Sequence, residues 1–193
     1  MGPLCHYAIM KKVAMCAKAT NFKIYKGNIF SNIKPDLCKN NAHGNNKTLI
    51  DRMVFHKSVL RCNLNPQKQI EYLVHYITDY LSTTQTNTKY HGYIDNKFDL
   101  LCDLQIGTKI LNPIFRLKIN NYNEFILCLN SRKQFIENYF EKEVVNLSLF
   151  NKNFFHNIKL YTRMICNSAI TVSIALLELI DKEIESDKSK SNL

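Results

Sequence analysis

The stretch from 154 to 185 constrains the fold most, because the sequence predicts one long helix there whose middle is apolar nearly all the way round. A helix of that kind has to be covered on every side and belongs at the centre of a bundle. Its longest uncharged run, Met164 to Leu177, is fourteen residues long, whereas a membrane span needs about 20 apolar residues. We therefore expect a buried core helix and no membrane span.

Shorter amphipathic helices are predicted along the rest of the chain. Apolar residues recur at helical spacing over 7–17, 48–61, 65–82 and 131–147. Asn65 and Pro66 are expected to be the N-cap and first residue of the third helix. Ser131 and Gln134 match a capping box at the start of the fourth. The Asn-rich stretch 34–47 is predicted to be a loop.

A small amount of β-structure is also expected. Residues 114–119 alternate between apolar and charged side chains, and 124–129 form a short apolar run after a turn, which favours an antiparallel hairpin. Residues 22–30 are typical of two short strands around Gly27, where a tight turn needs positive φ. The predicted class is α+β and helix-dominated: amphipathic helices around a long apolar C-terminal helix, with one small antiparallel hairpin. We expect a single domain over 1–186 and a disordered polar tail over 187–193.

Positive charge is concentrated in the first half of the chain. Residues 1–97 carry fourteen Lys/Arg and five Asp/Glu, a net charge of +9, whereas 98–193 carry twelve and eleven, a net charge of +1. That asymmetry predicts a basic surface on the N-terminal half that faces an acidic partner. Abundant Asn, Ile, Lys, Tyr and Phe also indicate an AT-rich genome, for which a large DNA virus, a protist parasite or a reduced bacterium would each fit.

Eight residues are the candidates for a nucleic-acid or partner surface. Tyr72, Tyr76 and Tyr80 recur every fourth residue on one predicted helix, where exposed rings would stack on single-stranded bases and boundary rings would be half buried. His75 and Asp79 fall further round that helix. Basic side chains lie nearby in sequence, namely Lys47, Arg52, Lys57, Arg61 and Lys68.

A second pattern resembles the spacing of structural zinc ligands. Cys38, His43, His56 and Cys62 pair a thiol with an imidazole twice, about a dozen residues apart. His56 and Cys62 are six residues apart on a predicted helix, which places them about 120° apart around its axis. Buried thiols and surface histidines would explain the same four residues without a metal. We keep zinc as a hypothesis and expect no other cofactor.

The seven cysteines are widely spaced, no CxxC occurs, and no signal peptide is visible. These features predict reduced thiols in an intracellular compartment, cytoplasm or nucleus. The sequence contains no serine-triad, P-loop or dinucleotide-binding motif, so we expect no enzyme.

Together, these patterns favour a non-enzymatic accessory or regulatory protein. It would bind nucleic acid or a nucleoprotein assembly through its basic N-terminal half. The alternative is a helical protein–protein interaction module that sequesters a partner.

Overall fold

The structure, a computed structural model, describes residues 3–25, 27, 46–82, 117–145 and 152–191. Five α-helices lie in these ranges. They are α1 (Pro3–Cys16), α2 (Asn46–Arg61), α3 (Pro66–Leu81), α4 (Tyr122–Phe140), which continues into a π-helical turn (Glu141–Val145), and α5 (Lys152–Ser191). The described residues contain no β-strand, so the protein is helical and the α+β prediction is wrong.

The long helix α5 is the centre of the molecule. It contacts α1, α2, α3, α4 and the π-helical turn. Its middle is buried on all sides, with Ile170, Leu176 and Ile180 fully covered. The helix also continues to Ser191, into the stretch 187–193 that we expected to be a tail.

By length and composition alone, α5 is also apolar enough to cross a membrane. However, 83% of its most apolar window is buried inside the protein. Such burial is expected of a helix that is apolar all round and lies at the centre of a bundle. The apolar residues of α5 are therefore accounted for by contacts with the other helices.

The predicted hairpin is replaced by the start of α4. Residues 114–116 lie outside the described residues, 117–120 are irregular, and 124–129 are helical. The short apolar run contains Phe125 and Leu129, which begin a buried stripe that continues at Ile136 and Phe140. A run of five apolar residues does not distinguish a strand from a buried helix, but the further apolar residues at helical spacing show that this segment is a helix.

The cap of α4 explains why the helix begins earlier than predicted. The Asn121 side chain accepts a hydrogen bond from the backbone N–H of Glu124 at 3.0 Å. The Glu124 carboxylate accepts one from the N–H of Asn120 at 2.9 Å. These two hydrogen bonds cap the start of α4 much as a capping box does, with the Glu124 carboxylate bonded to the residue before the N-cap. Ser131 is therefore a mid-helix residue rather than the predicted helix start.

The other predicted strands, over 22–30, are absent where the structure describes them. Residues 21–25 and Gly27 are irregular, and the remainder of that stretch lies outside the described residues. Gly27 does have the predicted positive φ, at 65°. Tyr25 is held instead by Gln67, whose amide accepts from the Tyr25 N–H and donates to its carbonyl.

Helices α2 and α3 form a helical hairpin across a four-residue turn. Asn63 and Asn65 adopt positive φ angles of 53° and 48°, which Asn tolerates better than most residues. Pro66 is the first residue of α3, as predicted, but the Asn65 side chain makes no capping hydrogen bond. The tight turn lets the two helices pack against each other.

The described cysteines differ in state and burial. Cys5 is disulfide-bonded, whereas Cys16, Cys62, Cys128 and Cys166 carry free thiols. The Cys166 Sγ lies 3.7 Å from the Cys5 Sγ in the core. Because a disulfide sulfur has no proton, Cys166 is the donor of that contact. The cellular compartment stays a prediction.

Candidate functional site

The face where α2 and α3 meet carries four of the eight predicted surface residues. Arg52 on α2 lies over the ring of Tyr76 on α3, with its guanidinium carbon 5.5 Å from the ring centre. The Lys68 ammonium lies 5.6 Å from the centre of the Tyr72 ring. The two tyrosine rings are 6.1 Å apart. We call this set, together with His56 and Phe55, the α2–α3 face.

His56 fills the space between the two tyrosines. Its ring centre lies 4.8 Å from that of Tyr72 and 5.5 Å from that of Tyr76. Its Nδ1 lies 2.6 Å from Gln69 Oε1 and, as the donor of that pair, leaves Nε2 unprotonated. Burial lowers the pKa of His56 despite the opposing effect of its hydrogen bond to Gln69. The imidazole therefore supports the tyrosine rings as a neutral group.

Exposure differs strongly across the α2–α3 face. Tyr76 is buried, and burial raises the pKa of its hydroxyl against the opposing effect of Arg52. Tyr72 is half-buried and Lys68 is exposed. Phe55 is 62% exposed and touches His56 edge-on, with ring centres 5.1 Å apart. The accessible part of the face is therefore one phenyl ring, one tyrosine edge and two cations.

Two other predicted cations point towards α5 instead. Lys57 Nζ lies 2.9 Å from Glu183 Oε2, and Arg61 is ion-paired with both Glu183 and Asp187. The Asp187 hydrogen bond raises the pKa of Arg61. These acids belong to the charge-balanced C-terminal half, so part of the N-terminal positive charge is neutralised within the fold.

The last two predicted residues lie away from the α2–α3 face. Tyr80 is buried, and its hydroxyl donates to the Asn130 side chain on α4. Its ring therefore packs inside the bundle rather than offering a stacking surface. Lys47 is exposed in the first turn of α2.

The predicted zinc ligands are only partly described. Cys38 and His43 lie outside the described residues. His56 is buried against Gln69, Tyr72 and Tyr76, whereas Cys62 is exposed in the turn after α2. Zinc at these four residues stays a prediction.

A different group of potential ligands lies in the core, between α1 and α3. His6 Nε2 is 3.3 Å from Asp79 Oδ1, and His75 Nε2 is 3.0 Å from Asp79 Oδ2. The imidazoles of His6 and His75 stack with ring centres 4.1 Å apart. Each of the three residues is only 1% exposed. We call this group the His–His–Asp cluster.

The protonation of the His–His–Asp cluster follows from its burial. Burial, assisted by the neighbouring His75, lowers the pKa of His6 to about 4 against the opposing effect of Asp79. Burial alone would raise the pKa of Asp79, but the two histidines outweigh it and hold that pKa well below its ordinary value. At neutral pH the cluster therefore contains an ionised carboxylate beside a neutral His6 imidazole.

Sequence reasoning missed the His–His–Asp cluster, although half of its signal was visible. His75 and Asp79 are four residues apart on a helix that the apolar spacing predicts, and this separation places two ligands on the same side of the helix. His6 joins them only because α1 packs against α3, which no local pattern shows.

Comparison with known protein families, with curated proteins and with solved structures finds no match to this chain.

Proposed function

We propose that the protein is a non-enzymatic accessory protein that binds single-stranded nucleic acid, free or in a nucleoprotein assembly, through the α2–α3 face. The observation that carries the proposal is the adjacency of Arg52 and Lys68 to a contiguous set of rings with an exposed member, Phe55. Cations that contact phosphates, next to aromatic rings on which bases stack, are the two components of sequence-tolerant single-strand binding.

Different residues of the α2–α3 face would contact the phosphates and the bases. Lys68 is exposed and Arg52 half-buried, so both can reach a phosphate backbone that follows the α2–α3 hairpin. Phe55 offers an accessible ring, and one base stacked on an aromatic side chain contributes about 1–3 kcal/mol. The buried Tyr76 and His56 hold the cations and Phe55 in position rather than contacting bases. The internal ion pairs of Lys57 and Arg61 leave the accessible charge on this face modest, which favours weak, salt-dependent binding.

The test is fluorescence anisotropy with a labelled thymidine oligonucleotide of about 15 nucleotides over a salt series. Replacing both cations, R52Q/K68Q, should lower affinity roughly tenfold at low salt. It should also reduce the slope of log K against log salt by about 1.4, since each single-strand phosphate contact contributes about 0.7. The matched control is K159Q/R163Q, which removes one Lys and one Arg from the exposed surface of α5.

A stacking test uses two phenylalanines of similar exposure. Phe55→Ala should weaken oligonucleotide binding, whereas Phe135→Ala, at a ring on α4 that is 67% exposed, should not. Binding that ignores salt, or that responds equally to the cation pair and its control, would contradict the proposal. Circular dichroism of each variant checks that the helices are retained.

The second candidate is a protein–protein interaction module, and one feature of α4 favours it. Leu127 and Phe135 are 69% and 67% exposed and lie eight residues apart, about 80° apart around the helix axis. Two large exposed apolar side chains on one helix suit a contact with an apolar groove of a partner. A stoichiometric protein partner that survives nuclease treatment, and that is lost in Phe135→Ala but not in Phe55→Ala, would favour this function over nucleic-acid binding.

A further inference from the structure

The His–His–Asp cluster takes no part in the proposed function, and its three side chains are close enough together to share one metal ion. Its three ligand atoms all lie within 4.8 Å of one another. On a tetrahedral ion with bonds of about 2.0–2.1 Å, neighbouring ligand atoms are about 3.3 Å apart. The Asp79 carboxylate lies 3.3 Å from His6 Nε2 through Oδ1 and 3.0 Å from His75 Nε2 through Oδ2, so each imidazole is at about that spacing from one of its two oxygens.

The environment of His6 gives an independent reason to expect an ion. Its side chain is 1% exposed, yet neither ring nitrogen makes a hydrogen bond of acceptable geometry to any residue that the structure describes. Its Nε2 is close to Asp79 Oδ1 but not aligned for donation. Leaving a buried polar atom without a partner costs about 1–3 kcal/mol. A cation bound by the imidazole nitrogen of His6 would give that buried atom a partner, and the adjacent Asp79 carboxylate would be a second ligand.

The chemistry of the three ligands favours a transition metal such as zinc over Ca²⁺ or Mg²⁺. Two imidazole nitrogens and one carboxylate oxygen suit Zn²⁺, whereas Ca²⁺ and Mg²⁺ prefer a shell of oxygens. Cys5 is the sequence neighbour of His6, but its sulfur is in a disulfide and cannot act as a thiolate ligand. The fourth position would be filled by a water molecule.

We propose that His6, His75 and Asp79 bind one Zn²⁺ that ties the N-terminal helix α1 to α3. Full burial of all three ligands makes the ion structural rather than catalytic, because a substrate would have no route to it through the described core. The spacing of His75 and Asp79 on one face of α3 provides two ligands before α1 docks, and His6 completes the set when it does. Zinc would then stabilise the docked position of α1.

The experiment measures zinc on the full-length chain. The protein is stripped with a chelator and dialysed, then titrated with Zn²⁺, and bound metal is counted by elemental analysis. We expect about one zinc per chain and a rise in Tm on zinc addition, since a ligand that binds only the folded state stabilises it. His6→Gln and Asp79→Asn should each weaken zinc binding by at least about tenfold. His156→Gln, at an exposed histidine on α5, is the matched control and should bind as the wild type does.

Cobalt substitution of the wild-type protein keeps the proposal falsifiable if a core variant does not fold. Co²⁺ at two imidazoles and a carboxylate should give visible d–d bands without the near-ultraviolet charge-transfer band of a thiolate ligand. A thiolate band would assign the metal to a cysteine-containing site, such as Cys38, His43, His56 and Cys62, and would overturn the proposal. A folded wild-type chain that binds neither metal, or one in which His6→Gln and His156→Gln bind zinc equally, would also overturn it.

Discussion

Asp181 on α5 accepts three hydrogen bonds from Thr20, two from its backbone N–H at 3.0 and 2.9 Å and one from its hydroxyl at 3.1 Å. The same carboxylate accepts from the N–H of Asn21 at 2.8 Å. A single charged side chain thus fastens the segment that follows α1 to the central helix. Because α1 also carries His6, this anchor contributes to the position of the His–His–Asp cluster.

Asp181→Asn should destabilise the fold by about 1.5–3 kcal/mol, the usual effect of losing hydrogen bonds to a charged group. The amide presents an N–H₂ group where the carboxylate presented an acceptor to the donors of Thr20 and Asn21. Urea unfolding followed by circular dichroism measures the change. Glu185→Gln removes an equivalent charge from an exposed position on α5 and should change the free energy of unfolding by less than about 0.5 kcal/mol. Equal effects of the two variants would contradict the anchoring role.

The stability that Asp181 provides should disappear only in acid. Burial would raise the pKa of Asp181, but the hydrogen bonds from Thr20 and Asn21 outweigh it and lower that pKa below its ordinary value. The unfolded chain therefore takes up the proton first, so the contribution is complete above the unfolded pKa of about 3.9 and is lost as pH falls through the lower folded pKa. We expect the difference in unfolding free energy between wild type and Asp181→Asn to be constant near neutral pH and to shrink below about pH 3.9. A difference that already shrinks above about pH 5 would show that another group is responsible.

The sequence predicts those parts of the fold whose residue pattern is local, that is, contained within one helix or turn. The α2–α3 hairpin and the central helix α5 have local signals, since Pro66 marks a helix start and the nearly all-round apolar middle of α5 predicts a helix that is covered on every side. The start of α4 was misread because Phe125 and Leu129 sit in a run too short to show its period.

The candidate sites show the same division. Tyr72 and Tyr76 are one turn apart, so their proximity was predictable, but which ring faces solvent depends on how α2 covers α3. The ion pairs of Lys57 and Arg61 join residues 126 positions apart in sequence. Charge counted along the sequence therefore overstates the field that the folded protein presents.

Lys133 belongs to α4, but it should stabilise the C-terminal end of α3. Its ammonium donates to the carbonyl of Tyr80 at 2.8 Å, lies 5.0 Å from the centre of that ring and pairs with Glu137 at 3.1 Å. Carbonyls in the last turn of a helix have no partner within the helix, so Lys133 satisfies one of them. Lys133→Met keeps the aliphatic length and removes the donor, and we expect a loss of about 1–3 kcal/mol in urea unfolding. The control is Lys142→Met, at an exposed position in the π-helical turn. If Lys133→Met and Lys142→Met are equally stable, water replaces the ammonium and the expectation is wrong.

Cys62 and Cys166 should differ sharply in reactivity. Cys62 is exposed in the α2–α3 turn, whereas burial raises the pKa of Cys166 to about 12. Since the thiolate is the nucleophile, the Cys166 thiol is both inaccessible and almost wholly protonated at neutral pH. Alkylation of the native protein with iodoacetamide, read by peptide mass spectrometry, should label Cys62 and spare Cys166, and the same reaction in urea should label both. Labelling of Cys166 at the rate of Cys62 in the native protein would mean that α1 does not cover α5 at this point, and it would remove the packing on which the His–His–Asp cluster depends.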